Sequence, residues 1–233
     1  MSAARALGAP RLHLRTVDST NARARELAAA GAPHGALVTA DAQTAGRGRQ
    51  GRTWTAPPRR ALLMSLVLRD WPRLLPLVAG VAVAETAGEA AAIKWPNDVL
   101  LFDRKLAGIL AEGRPQDGWM VLGIGLNVAV RREDFPTELR ETAATMGLEP
   151  AAVEPTLARL LGRLEAWLPA AEAEVLGAWR ARDALDGRQV AWAGGSGTAA
   201  GVDGDGRLLV EAPSGKRTVL DAGEVHLEPG GAG

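Results

Sequence analysis

The sequence predicts an α+β protein, a mixed β-sheet with helices followed by a small C-terminal β-barrel. Three observations carry this. Between residues 11 and 127, apolar strand-like runs outnumber helical ones. A proline-bounded helical stretch follows at 155–182. From Gly187 onward the texture changes to short strands separated by glycine-rich turns, such as Gly194-Gly195 and Asp203-Gly204-Asp205-Gly206. Strand runs mixed with helices favour a layered α+β unit, and many short strands at close spacing favour a small barrel.

In chain order, residues 1–10 read as a flexible tail and Arg11–Val17 as a short strand. Asp18 and Ser19 offer an N-cap for an Ala-rich helix over Asn21–Ala30, closed by Gly31. Residues 36–40 form a buried strand, which leads into the loop Gln43–Trp54, QTAGRGRQGRTW. Residues 61–68 are a core strand, and 73–88 carry apolar positions at a helical period. Segment 93–102 reads strand, turn, strand, with Pro96 barring an ordinary ladder bond. Strands 105–112 and 119–126 are joined by a hairpin link at Pro115–Gly118. This pattern suggests helices on one face of the sheet. Helices are expected at 137–147 and 155–182, the latter with an apolar face of Leu157, Leu160, Leu161, Leu164, Trp167 and Leu168. Five short strands follow, at 189–193, 198–202, 207–211, 216–220 and 224–227. The expected division is a tail over 1–10, a main domain over 11–184 and the barrel over 185–233.

Composition narrows the chemistry. Lys plus Arg and Asp plus Glu both number 27, so whole-chain attraction to nucleic acid or membrane is not indicated. There is no cysteine, which removes disulfides, thiolate metal sites and a cysteine nucleophile. His13, His34 and His226 lack metal-ligand spacing. No apolar run approaches the roughly 18 residues that a membrane helix needs, and no leader-like segment opens the chain. A cytoplasmic protein is the expectation. Lysine occurs only at 94, 105 and 216, and asparagine only at 21, 97 and 127, in a chain that otherwise favours arginine and alanine.

The loop Gln43–Trp54 alternates small residues with Arg47, Arg49 and Arg52. Glycine lets backbone N–H groups turn inward and arginine adds a fork of donors, which suits a phosphate or carboxylate. The same composition fits a solvated basic loop or an RNA-binding segment. The turn Lys94-Trp95-Pro96-Asn97-Asp98 joins a cation to a carboxamide and a carboxylate, and Lys105 opens the next strand ahead of Gly108. These are the residue types that phosphoryl transfer uses, and also those of a surface turn with a weak ion pair. Gly123-Ile124-Gly125-Leu126-Asn127 is too short for a dinucleotide fingerprint. Ser19-Thr20-Asn21 is explicable as a helix cap alone.

Taken together, the order Ser-Thr-Asn, QTAGRGRQGRTW, KWPNDVL, KLAGIL, GIGLN and a terminal GEVHL resembles the biotin–protein ligase family over roughly 11–228. The resemblance implies a catalytic domain related to class II aminoacyl-tRNA synthetases and lipoate ligases, with an SH3-like barrel behind it. It implies formation of biotinyl-5′-AMP from biotin and ATP, then transfer of biotin to a lysine of a biotin carboxyl carrier protein. Residues implied at the biotin end are Ser19, Thr20, Asn21, Gln43, Gly46, Arg47, Arg49 and Gly108. Those implied for ATP are Arg49, Arg52, Trp54, Lys94, Asn97, Lys105 and Asn127. Lys105, Arg47 and Asp98 are implied in catalysis, and Asn97 with Asp98 at the Mg2+ of ATP. The glycines imply a loop that orders over the intermediate.

Two departures stand out. Gln50 sits where the family loop often continues with a basic residue. Arg59–Leu63 replaces a Gly–polar–aromatic pattern, which weakens Ser65 as a wall of the biotin pocket. The ten residues ahead of the first strand leave no room for a DNA-binding winged helix, so no DNA binding is expected. A monomer or a homodimer both fit. Lipoate–protein ligases share the fold, but KWPND and the barrel favour biotin. A nucleic-acid-binding module is the rival of another class.

Overall fold

A computed structural model describes residues 7–212, 214–221, 223 and 225–227. Residues 1–6 of the expected tail and the end of the expected barrel lie outside the described residues. Leu7 and Gly8 are tied down by backbone N–H bonds to Glu165 Oε1 and Gly35 O, both 2.9 Å.

The first sheet contains β1 (Arg11–Leu14), β2 (Leu37–Ala40), β3 (Ala61–Leu68), β4 (Ala91–Lys94), β5 (Asp98–Leu101), β6 (Arg104–Arg114) and β7 (Trp119–Asn127). Their order is β1-β2-β3-β7-β6-β5-β4. Only β1 and β2 are parallel, so the sheet is mixed, as the sequence suggests. The central strand β3 is buried along its whole length, which explains why ALLMSLVL is apolar without alternation.

Helices cover both faces of the sheet rather than one. Helix α1 (Thr20–Ala29) packs Ala24 and Ala28 against Val38, Val67 and Val121. On the other face, α2 (Leu75–Ala87), α3 (Val153–Trp167) and α4 (Glu172–Arg180) bury Leu62, Met64, Leu66 and Leu68 of β3. Alternate β3 side chains thus serve two cores. Helix α2 lies between the sheet and α3, so Leu75 to Thr86 is buried almost all round.

The expected helix at 137–147 does not form. Short 3-10 turns occupy Arg132–Asp134 and Thr137–Leu139, and the following backbone is used as a ladder partner instead. Lys105 N donates to Thr142 O at 2.7 Å, Ala144 N to Lys105 O at 2.8 Å, and Met146 N to Asn127 O at 2.9 Å. Satisfying the ends of β6 and β7 competes with helical i to i−4 bonding and wins, and Gly147 at φ 69° turns the chain away. The 155–182 segment is two helices, α3 and α4, interrupted where Pro169 stands.

The second sheet comprises β8 (Gln189–Trp192), β9 (Gly195–Val202), β10 (Leu208–Glu211), β11 (Arg217–Leu220) and β12 (His226–Leu227). All are antiparallel, in the order β11-β10-β9-β8-β12. The expected barrel is an open sheet among the described residues, because β11 and β12 do not pair and β12 is only two residues long. The two sheets are joined by specific contacts. Trp95 Nε1 donates to Gly206 O at 3.0 Å, Arg73 pairs with Glu172 and Asp205, and Arg180 Nη2 donates to Val202 O at 2.9 Å.

Asp183 lies at this junction, bridged to Ile93 of β4. Its Oδ1 accepts from Leu185 N at 2.8 Å, while Oδ2 is buried without a partner among the described residues. Burial pushes its carboxyl up to about 6, from an ordinary value of 3.8. The folded protein therefore keeps a proton that the unfolded chain releases between these values, and stability falls as pH rises through that window. Asp183→Asn keeps the acceptor for Leu185 without the charge. It is expected to stabilise the protein by on the order of 1 kcal/mol above pH 6 and to make little difference below pH 4. Denaturant midpoints at the two pH values measure this, and an equal shift at both would contradict it.

Candidate active site

A cavity of about 550 Å3 opens on the α1 face of the sheet. Its floor is the β6–β7 ladder, where Gly108 pairs with Gly125 and Leu110 with Gly123. Along β7 the alternate residues Gly123, Gly125 and Asn127 share one face, spanning about 13 Å at ~3.3 Å per residue. GIGLN thus serves as two gaps and an amide. A Cβ on Gly123 would collide with the Asn21 carboxamide, and one on Gly125 would lie 2.6 Å from Trp54 Cε2.

At one end of the cavity stand Ser19, Thr20, Asn21 and Gln43. Ser19 does cap α1, its Oγ accepting from Ala22 N at 3.4 Å, yet it also lines the cavity. Gln43 Oε1 accepts from Thr20 N at 2.8 Å and from Thr20 Oγ1 at 3.1 Å. Ser65, fully buried on β3 and paired with Gly123, donates from Oγ to Asn21 Oδ1 at 2.6 Å and lies 2.9 Å from Thr20 Oγ1. The sequence departure around 59–65 therefore does not remove Ser65 from this cluster. Leu63 lines the cavity where an aromatic was expected nearby.

Glu112, which belongs to none of the sequence motifs, completes this end. Asn21 Nδ2 donates to Glu112 Oε2 at 3.0 Å, and Arg25 and Arg47 approach Oε1 at 3.7 and 3.8 Å. Its signal in the sequence is parity: Gly108, Leu110 and Glu112 fall on one face of β6. In Gly123→Ala, Asn21 must leave both Ser65 and Glu112. We expect the KM for the ligand of this end to rise at least about tenfold, on the scale of losing one or two buried hydrogen bonds, with folding intact. An unchanged KM would contradict the assigned packing.

The Gln43–Trp54 loop is a small hairpin. Trp54 N donates to Gly46 O at 3.0 Å, Gly48 N donates to Arg52 O at 2.7 Å, and Arg47 bridges Thr53. Gly46 sits against Gln43 Nε2 and the Trp54 carbonyl, where a side chain would not fit. Gln50 occupies the exposed tip at φ 55°. From the hairpin, Trp54 lays its ring over Gly108 and Gly125.

At the other end, Lys94, Asn97, Asp98, Lys105 and Asn127 line the cavity with Arg49 and Arg52. Lys105 reaches it through a β-bulge. Val99 pairs with Ala107 and Leu100 with Lys105, so Leu106 is an extra residue that flips the alternation. Lys105 Nζ then lies 2.8 Å from Asp98 Oδ1 and 6.0 Å from the Trp54 ring centre. Arg49 Nη1 donates to Asn97 Oδ1 at 3.2 Å, and Asn97 Nδ2 to Ile109 O at 3.0 Å. His226 and Leu227 from β12 also line the cavity, as do Phe135, Leu139, Thr142 and Ala143 from the non-helical segment.

The electrostatics of this end favour an anion. Four cations line this end (Arg49, Arg52, Lys94 and Lys105) against two carboxylates, Asp98 paired with Lys105 at 2.8 Å and Asp103 with Arg188 at 2.6 Å. Burial lowers the Lys94 ammonium, Asp98 opposes this, and Lys105 and Arg52 push it lower still. Burial likewise lowers Arg49, against Asp98 and with Arg52. Trp54 Nε1 and Asn127 Oδ1 are buried without a partner among the described residues. Buried polar groups are normally paired, so both point to a ligand that supplies an acceptor and a donor.

The described residues hold no cluster of three or more His, Cys, Asp or Glu suited to a metal, and no helix long and apolar enough to cross a membrane. Asn97 and Asp98 together offer three side-chain oxygens, of which Asn97 Oδ1 is engaged by Arg49 and Asp98 Oδ1 by Lys105. That donor set fits Mg2+ arriving on a polyphosphate, with phosphate and water as most of its ligands, and does not fit a resident metal.

Residues 14–128 match the Biotin/lipoate A/B protein ligase family, and residues 186–227 the Biotin protein ligase C terminal domain. The biotin–[acetyl-CoA-carboxylase] ligase of Mycobacterium tuberculosis is 37% identical over 237 aligned positions, which cover 90% of this chain and 86% of that one. The bifunctional ligase/repressor BirA of Bacillus subtilis is 43% identical over 142 positions, 56% of this chain and 44% of the relative, so the match spans less than half of that protein. Among solved structures, biotin protein ligase from Aquifex aeolicus in complex with biotin and ATP superposes with a TM-score of 0.79 at 29% identity, covering 94% of this chain and 98% of that one. With residues 14–128 and 186–227 both matched, and most of the residues that line the glycine-floored cavity lying in the first span, the chain belongs to the biotin protein ligase family.

Proposed function

We propose that the protein joins biotin to a carrier protein at the expense of ATP. The observation that carries this is the polarity of the cavity. One end is a hydrogen-bonding cluster of the uncharged side chains Thr20, Asn21, Gln43 and Ser65, with Glu112 and its arginines behind Asn21, and the other is a cation cluster around Lys105 and Lys94. An apolar floor lies between them. A ureido ring with an aliphatic carboxylate tail suits the first end, with the carboxylate delivered toward the second, where a nucleotide phosphate belongs.

In the first step a biotin carboxylate oxygen attacks the α-phosphorus of ATP, a P–O bond forms, and pyrophosphate leaves. Lys105, Arg47 and Arg49 stabilise the charge that develops at the pentacoordinate phosphorus. Lys94 and Arg52 hold the polyphosphate, and Asn127 and Trp54 meet the nucleotide. Asn97 and Asp98 address the Mg2+ that enters with ATP. In the second step the neutral amine of a carrier lysine attacks the carbonyl carbon of biotinyl-5′-AMP. An amide forms, AMP leaves, and Asp98 accepts the proton. The Gly46–Gly51 hairpin covers the mixed anhydride and keeps water from it. The expected domain division, 11–184 for ligation and 185–233 for the accessory module, is part of the same reading.

The test is pyrophosphate release with Mg2+–ATP and either biotin or lipoate, followed by transfer of label to an apo-carrier domain. Release that depends on biotin supports the proposal. Release with lipoate alone would overturn it.

A further inference from the structure

We propose that the tip of the β5–β6 hairpin, with Phe102 as its anchor, is the surface on which the carrier domain docks during transfer. The inference rests on the ligase reading and adds the place where its protein substrate lands. The turn has two residues, because Leu101 pairs with Arg104 across Phe102 and Asp103. Both have positive φ, 51° and 59°, the backbone of a type I′ turn. Such turns favour Asn-Gly or Asp-Gly, since a Cβ is penalised in the left-handed region and a bulky side chain is a genuine outlier there. A phenylalanine at the first position opposes the local backbone preference.

Burial does not explain its presence. Phe102 is 78% exposed, whereas the other exposed large apolar residues among those described lie between 37% and 43%. A strained conformation that presents an aromatic ring to solvent calls for a partner outside the chain. The position of the tip identifies that partner. Its neighbour Asp103 lines the cavity and is pinned by Arg188. Asp98, the group assigned to the incoming lysine, begins the strand that leads into this turn, about 13 Å from Phe102 at ~3.3 Å per residue. Leu139, 41% exposed, lines the cavity on the segment strapped along Lys105. Biotin and ATP are served by the inner walls, so an apolar rim is left for a macromolecule. A lysine on a folded domain reaches Asp98 only if that domain rests on the rim. The partner is thus a small folded domain with an apolar contact beside its acceptor lysine.

Phe102→Asn tests this, because asparagine tolerates the left-handed region. Three rates are measured: pyrophosphate release with biotin and ATP, consumption of preformed biotinyl-AMP by hydroxylamine, and transfer to the apo-carrier domain at varied concentration. We expect the first two to stay within about twofold. The KM for the carrier should rise at least about tenfold, as for loss of an aromatic anchor. The thermal midpoint should rise by about 2–4 °C, as the turn strain is relieved. An unchanged carrier KM with the first two rates intact would remove the docking surface and leave the ligase reading standing. A change in sedimentation with unchanged carrier KM would assign the tip to self-association and overturn the proposal. Absence of biotin-dependent pyrophosphate release in the wild-type protein would sink the ligase reading, and this one with it.

Discussion

Lys105→Ala is expected to slow biotinyl-AMP formation by at least ~10²-fold, while the affinities for biotin and ATP change far less. The size follows from losing one preorganised donor at the transition state, roughly 3–4 kcal/mol. The geometry explains why no neighbour substitutes. The bulge at Leu106 turns Lys105 into the cavity, Asp98 holds its ammonium at 2.8 Å, and the Trp54 ring closes one side. Lys105→Arg should recover less than tenfold, because a planar fork cannot occupy the place of a compact charge. Arg47→Ala should fall on a similar scale. Single-turnover release of pyrophosphate is the measurement, and near-normal rates in both alanine variants would remove the assigned roles.

Asp98→Ala should act mainly on the second step. Loss of a positioned base costs about 10²–10⁴-fold, so transfer to the carrier should fall within that range near neutral pH. The deficit should shrink as pH rises, because the attacking lysine, with an ordinary value near 10.4, becomes neutral without help. The same substitution frees Lys105, so adenylate formation should drop modestly too. Comparing pyrophosphate release with transfer from preformed biotinyl-AMP separates the two effects. If only adenylate formation suffers, Asp98 belongs to Mg2+–ATP and the proton acceptor lies elsewhere.

Much of this arrangement can be read from the chain because the strands that build it are long and uniformly apolar. ALLMSLVL and WMVLGIGL announce the β3–β7 centre of the sheet, and two of the three lysines, Lys94 and Lys105, with all three asparagines mark the cavity ends. What the sequence hides is decided at longer range. The 137–147 segment has helical composition, yet its carbonyls and amides are claimed by the ends of β6 and β7. Opposite faces of β3 feed separate cores, and no local period reports this. Ser65 looks like one polar residue in an apolar strand until β7 places Gly123 beside it and makes room for Asn21. Glu112 acquires meaning only when α1 and the hairpin converge on it. Five short strands cannot reveal that β12 joins the sheet beside β8 and leaves β11 at the opposite edge.

The bond from the Trp95 indole to Gly206 bears on how the protein comes apart. The turn that carries Lys94, Asn97 and Asp98 hangs from a carbonyl in the second sheet, and the Arg73 and Arg180 contacts fasten the same region. Deleting the second sheet would strand a buried indole N–H, at a cost of about 1–3 kcal/mol, and would uncover Leu74 and Leu77 where Gly206 packs. The two sheets are therefore expected to melt as one cooperative unit. Heat or denaturant should dismantle the nucleotide end of the cavity and the C-terminal strands in a single transition.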